Sequence, residues 1–157
     1  MRERIGMSPR RKGRELAVQA LYQCDLGACG ADEVLGLFLP TEYGTEDGEA
    51  LAEPGSKKSF IYAQTLVRGT LSNLEEIDDL IRGQAEHWRL ERMPAVDRNI
   101  LRLAVFEFLY EADVPKLVVM DEAIELAKKF GSKDSSRFVN GLLDGLLKKR
   151  KFPGVLS

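Results

Sequence analysis

Ala95-Val96-Asp97-Arg98-Asn99-Ile100-Leu101-Arg102-Leu103-Ala104-Val105-Phe106-Glu107-Phe108-Leu109-Tyr110-Glu111-Ala112 is the run whose reading decides the fold. From Ile100 to Tyr110, only Arg102, Glu107 and Tyr110 interrupt the apolar body of this helix. A helix that is apolar nearly all round must be buried on most sides, so this one is the central element. Met93-Pro94 breaks the chain before it, and Asp113-Val114-Pro115 makes a turn after it.

Working outward, the same 3.6-residue period recurs on both sides. Toward the C-terminus, a helix over about residues 117–130 buries Met120, Ala123, Ile124, Ala127 and Phe130 and stops at Gly131. Asp134 or Ser135 caps a last helix whose inner stripe is Phe138, Val139, Leu142, Leu143, Leu146 and Leu147. Toward the N-terminus, Ser72-x-x-Glu75 reads as a capping box that starts a helix with Leu74, Ile77, Leu80 and Ile81 inside and Trp88 near its end. Glu75, Glu76, Asp78 and Asp79 read as a solvated face in its first turns, where negative charge suits the helix dipole. Ser56 caps a helix with Phe60, Ala63, Leu66 and Val67 on its buried stripe. A short helix spans about residues 32–39. The first helix starts at Ser8-Pro9, with Ser as N-cap and Pro at the first helical position, and ends near Gly27. No segment sustains a period of two, and no repeat is visible. The fold class is all-α, with about seven helices in a single domain of residues 1–157.

Lys plus Arg is 23 and Asp plus Glu is 25, for a net charge of −2. The 44% apolar content supports one real core and excludes disorder. No run approaches the ~18 apolar residues of a spanning helix, which argues for no membrane role. The N-terminus has no apolar stretch or cleavage site, so the expected location is cytoplasmic. Two cysteines, Cys24 and Cys29, are too few for a disulfide framework, and with His87 alone beside them no metal site is expected. The small net charge conceals a split. Residues 1–14 sum to +5, residues 148–151 to +4, and the stretch between them to −11. This divides the chain into a flexible basic arm at 1–9 that continues into the first helix, an acidic loop insertion at 40–58, and a basic tail at 148–157.

No nucleophile–base pair, metal cluster or phosphate loop stands out, so no catalytic residue, no enzyme activity and no cofactor is expected. Arg10, Arg11, Lys12 and Arg14 gather at a helix N-terminus, against the dipole, and that local cost points to a function. Guanidinium clusters pair bidentately with phosphate. Asp134-Ser135-Ser136-Arg137-Phe138 offers helix N–H groups, hydroxyls, a cation and an aromatic ring, the mixture that holds single-stranded RNA. The plainer reading of that second stretch is an N-cap followed by a core Phe.

Four blocks in order carry a family resemblance. They are Arg10-Arg11-Lys12-x-Arg14-Glu15-x-Ala17-x-Gln19-Ala20-Leu21-Tyr22; Val96-Asp97-Arg98-x-Ile100-Leu101-Arg102-x-Ala104 with Asp113-Val114-Pro115; Glu122-Ala123-Ile124-Glu125-Leu126-Ala127-Lys128-x-Phe130-Gly131; and Asp134-Ser135-x-x-Phe138-Val139-Asn140-Gly141-x-Leu143-Asp144. Together they resemble the NusB family of bacterial transcription antitermination factors. The resemblance implies two three-helix bundles packed across each other. It implies binding of boxA RNA of ribosomal RNA transcripts, together with the small-subunit ribosomal protein that doubles as NusE. It also implies membership of the elongating RNA polymerase complex, suppression of termination and help in rRNA maturation. By position, Arg10, Arg11, Lys12 and Arg14 would hold phosphates. Asp134, Arg137 and Phe138 would touch RNA, with Phe138 stacking on a base. Tyr22 and Asp97 fall where the family meets its protein partner, Asp97 being one methylene shorter than the Glu often found there. Gly13 is expected to loosen the first turn and leave the arm mobile without RNA. A similar domain fronts some rRNA cytosine methyltransferases, and the expectation here is a chain without that catalytic domain. The alternative from another class is a helical protein–protein adaptor or homodimeric scaffold with no RNA role of its own.

Overall fold

The computed structural model describes residues 8–27, 30–38 and 56–157. The arm before Ser8, Cys29 and most of the acidic loop lie outside the described residues. Seven α-helices and no strand are found among those described: α1 (Pro9–Gly27), α2 (Ala31–Phe38), α3 (Ser56–Ser72), α4 (Leu74–Gln84), α5 (Ala95–Tyr110), α6 (Lys116–Phe130) and α7 (Ser135–Lys149), with a 3-10 turn at Leu90–Arg92. The chain divides into two units at Arg68–Gly69, inside α3. The first holds three helices down to Arg68. The second holds four α-helices, where the resemblance implied three.

In the first unit, α1 starts as its sequence dictates. The Arg11 backbone N–H donates to Ser8 Oγ at 3.1 Å, and the Lys12 N–H donates to the Ser8 carbonyl at 3.0 Å. One of the helix's orphan donors is thereby satisfied by the cap. Ala17, Val18, Ala20, Leu21 and Cys24 of α1 are buried, as are Val34 and Leu35 of α2 and Phe60, Ala63, Leu66 and Val67 of α3. Cys24 is a free thiol in this core. Gly13 is buried too. A Cβ placed there would come within 2.8 Å of Tyr62 Cδ2 and 3.0 Å of the Ser59 carbonyl oxygen. The glycine therefore permits close approach of α1 to α3. It does not loosen the turn, and residues 9–14 are helical.

In the second unit, α5 is the buried centre the sequence predicts. Ile100, Leu101, Val105 and Phe108 are fully covered, and α5 packs against α4, α6 and α7. Two local expectations fail. Ser72 closes α3 and forms no capping box; Asn73 occupies the N-cap position of α4, and its amide donates back to the Gly69 carbonyl at 2.8 Å. The carboxylates of α4 are not all solvated either. Asp78 is buried and takes a bidentate pair from Arg102 of α5, at 2.8 Å from Nε and 2.9 Å from Nη2. The fork geometry matches guanidinium to carboxylate and fixes α4 on α5.

The basic tail does more than finish α7. Val155 and Leu156 accept hydrogen bonds through their carbonyls from the Lys116 and Leu117 N–H groups, at 3.0 and 2.8 Å. The open N-terminus of α6 is thus capped from the far end of the chain. Phe152 stacks on Phe108 with centroids 5.2 Å apart, and Arg150 lies 4.9 Å over the Phe152 ring. Gly154 turns the chain at φ +93°, where a side chain would strike the Ala112 carbonyl.

Candidate nucleic-acid interface

Each unit carries one group of the residues singled out in the sequence. In the first, Arg10, Arg11 and Lys12 are exposed on the opening turn of α1. Arg14 departs from the expectation. It is only 4% exposed, with its guanidinium 5.7 Å from the Tyr62 ring centroid and Nη2 3.4 Å from the Tyr62 hydroxyl. A covered guanidinium held by an aromatic face is set to orient its neighbours and has little surface to offer a phosphate. Arg10 lies over the same ring at 5.4 Å. Tyr62 of α3 thus gathers two of the four cations by cation–π attraction. The sequence reading missed it, because nothing in residues 56–72 marks Tyr62 as facing residues fifty positions earlier. Lys57 and Lys58 are also exposed, in the first turn of α3. Tyr22 is half-buried on α1.

In the second unit, the turn after α6 is built tightly. Gly131 ends α6, its N–H donating to the Ala127 carbonyl at 2.9 Å. A Cβ on Gly131 would fall 2.4 Å from Ser135 Oγ, so only glycine lets the turn close. Ser135 Oγ accepts the Ser132 N–H at 2.9 Å and donates to Asp97 Oδ1 at 2.7 Å. Asp97, which the resemblance placed at a protein partner, is 4% exposed and turned onto this serine. It ties the start of α5 to the turn that leads into α7. Asp134 stands at the N-cap position without capping through its side chain, and it is exposed. Arg137 is exposed on the first turn of α7, while Phe138 is half-buried.

Phe138 is not alone. Trp88, 56% exposed, meets it edge to face with ring centroids 6.3 Å apart and planes at 63°. The Trp88 loop is pinned from behind. Arg98 Nη1 donates to the carbonyls of Leu90 and Met93, at 3.1 and 3.0 Å. Arg82 pairs with Glu91 at 3.3 Å. The Glu91 carboxyl is held below its ordinary value, first by its own backbone hydrogen bond and then by Arg82. Sequence reading placed Trp88 at a helix end and gave it no role. Its pairing with Phe138 joins residues fifty positions apart.

Among the described residues no three His, Cys, Asp or Glu side chains stand together as metal ligands, and no helix is long and apolar enough to cross a membrane.

The model of the NusB family matches residues 11–148. The transcription antitermination protein NusB of Geobacter sp. (strain M21) is 51% identical over 138 residues, 88% of this chain and 93% of that protein. Among solved structures, T. maritima NusB superposes with a TM-score of 0.72 at 38% identity, over 94% of this chain and 96% of that one. A chain from a crystal structure of the antitermination factors NusB and NusE in complex with dsRNA superposes with a TM-score of 0.74 at 26% identity, over 90% of this chain and 98% of that one. The match spans most of the chain in sequence and in fold, so the chain belongs to the NusB family.

Proposed function

We propose that this chain is a transcription antitermination factor that acts by binding, not by catalysis. It binds boxA-type RNA of ribosomal transcripts together with a NusE-type ribosomal protein, joins the elongating RNA polymerase complex and assists rRNA maturation. The observation that carries this reading is the likeness, over 90% of the chain, to a NusB seen with NusE and RNA. The local chemistry agrees. Arg10, Arg11 and Lys12 offer exposed cations to phosphate, with Arg14 and Tyr62 behind them as supports. Arg137 adds a cation and Phe138 an aromatic surface for a base, on a turn that Asp97 anchors. Tyr22 and the acidic body are offered to the basic protein partner.

The test is a titration of labelled boxA-type RNA, single-stranded and duplex, with and without the ribosomal protein. Tighter RNA binding with the partner present supports the joint complex. Equal affinity in both removes it. Three exposed arm cations give a log K against log salt slope of about −2.1 on single strands, and about −2.8 with Arg137. A flat response refutes the phosphate contacts. Partner binding with no RNA affinity, or a dimer that persists at saturating RNA, leaves the adaptor or homodimer reading instead.

A further inference from the structure

We infer that Trp88 and Phe138 form the two walls of a slot that takes one unstacked RNA base; this rests on the RNA-binding reading above. The rings meet at 63°, edge to face, and so make a corner. A cleft of about 330 Å³ opens at that corner, lined also by His87, Arg137, Gln84 and Gly141. That volume lies in the range of sites for small organic ligands, roughly 300–1,000 Å³. A planar base stacks on the open face of Trp88 while its edge meets Phe138, and Arg137 at the rim faces the attached phosphate.

Four features fit this occupant. Trp88 is more than half exposed although it is the largest apolar side chain of the molecule. Its loop is held by the two Arg98 bonds, so the platform is set before a ligand arrives. Gln84 lines the cleft, and its buried Oε1 has no hydrogen-bond partner, the kind of acceptor that a base N–H satisfies. Gly141 keeps the floor open. A Cβ there meets no atom within 4 Å, so a larger residue fills the cleft without striking the fold.

Trp88 is the only tryptophan in the chain and is therefore its own reporter. The experiment follows Trp88 emission and the anisotropy of a labelled single-stranded boxA-type RNA in the same titration. It uses wild type, Trp88→Ala, Trp88→Phe and Gly141→Leu. The slot predicts quenching of Trp88 on binding and a loss of affinity in Trp88→Ala of roughly 5- to 150-fold, the range for one stacked base. Trp88→Phe keeps most of the affinity. Gly141→Leu loses a similar factor with an unchanged or higher melting temperature, which keeps the test decisive should Trp88→Ala fail to fold. RNA that binds with unmoved Trp88 emission and full affinity in Gly141→Leu overturns the slot and leaves the RNA reading standing. A wild type that binds no RNA, with or without the ribosomal protein, overturns both.

Discussion

Replacing Ser135 by alanine removes the donor from a carboxylate that has almost no water to turn to. Ser135 is 1% exposed and Asp97 is 4% exposed. Their oxygens lie 2.7 Å apart, the length of a charge-assisted bond. Such a bond contributes about 1.5–3 kcal/mol, and a buried ion left without its donor loses most of that. The Ser132 N–H also loses its acceptor, but Ser132 is exposed and water replaces it at little cost. The expected loss is therefore about 2–3 kcal/mol. With an unfolding entropy of about 2.1 cal/mol/K per residue over 157 residues, this lowers a single melting transition by about 6–9 °C. The assay is thermal melting followed by circular dichroism, on Ser135→Ala, Asp97→Ala and the double variant. Partners in one bond do not add, so the cycle should show a coupling of at least about 1 kcal/mol. Single variants that add within about 0.5 kcal/mol, or a Ser135→Ala that melts with wild type, would refute the anchoring role given to Asp97.

Further predictions concern other elements. Gly13→Ala should destabilise by about 1–3 kcal/mol in urea unfolding, because its Cβ meets Tyr62 and the Ser59 carbonyl, whereas Gly141→Ala should gain about 1 kcal/mol from helix propensity alone. Lys116 is buried with no hydrogen-bond partner for its ammonium, and desolvation lowers its pKa below the ordinary lysine value of 10.5 against the opposing pull of the Glu107 and Asp113 carboxylates. The folded state therefore sheds this proton before the unfolded state does, and wild-type stability should rise with pH between the lowered value and 10.5. Lys116→Met should be more stable by about 1 kcal/mol at neutral pH, an advantage that shrinks across that window. Deleting residues 152–157 uncovers Phe108 and frees the Lys116 and Leu117 N–H groups. Amide exchange at those two positions should accelerate, with a stability loss of about 3 kcal/mol.

The helices were legible in the sequence because their signals are local. The apolar period of residues 95–110, the Ser8-Pro9 start and the Gly131 stop each act within a turn or two of the chain. The capping box at Ser72 failed because α3 runs on through Ser72 and leaves Asn73 at the N-cap position, whereas Asp78 is not solvated because Arg102 of a neighbouring helix gives it a bidentate partner. The candidate site was half legible. Charge and residue type marked Arg10, Arg11, Lys12, Arg137 and Phe138. They did not show that Arg14 is covered by Tyr62, that Asp97 turns inward to Ser135, or that Trp88 stands beside Phe138. Each of these is a meeting of residues 38 to 50 positions apart, and no local pattern encodes it.

The grip of Arg98 on the Trp88 loop has a consequence for variation. Its guanidinium holds carbonyls of residues 90 and 93, and every amino acid supplies a carbonyl. The side chains at 86–89 are exposed and take no part in that grip. The loop is therefore a fixed frame with replaceable lettering. Exchanging residues 86–89 should alter what the surface prefers to meet while the path of the backbone stays the same, which makes this segment the natural place to redesign selectivity.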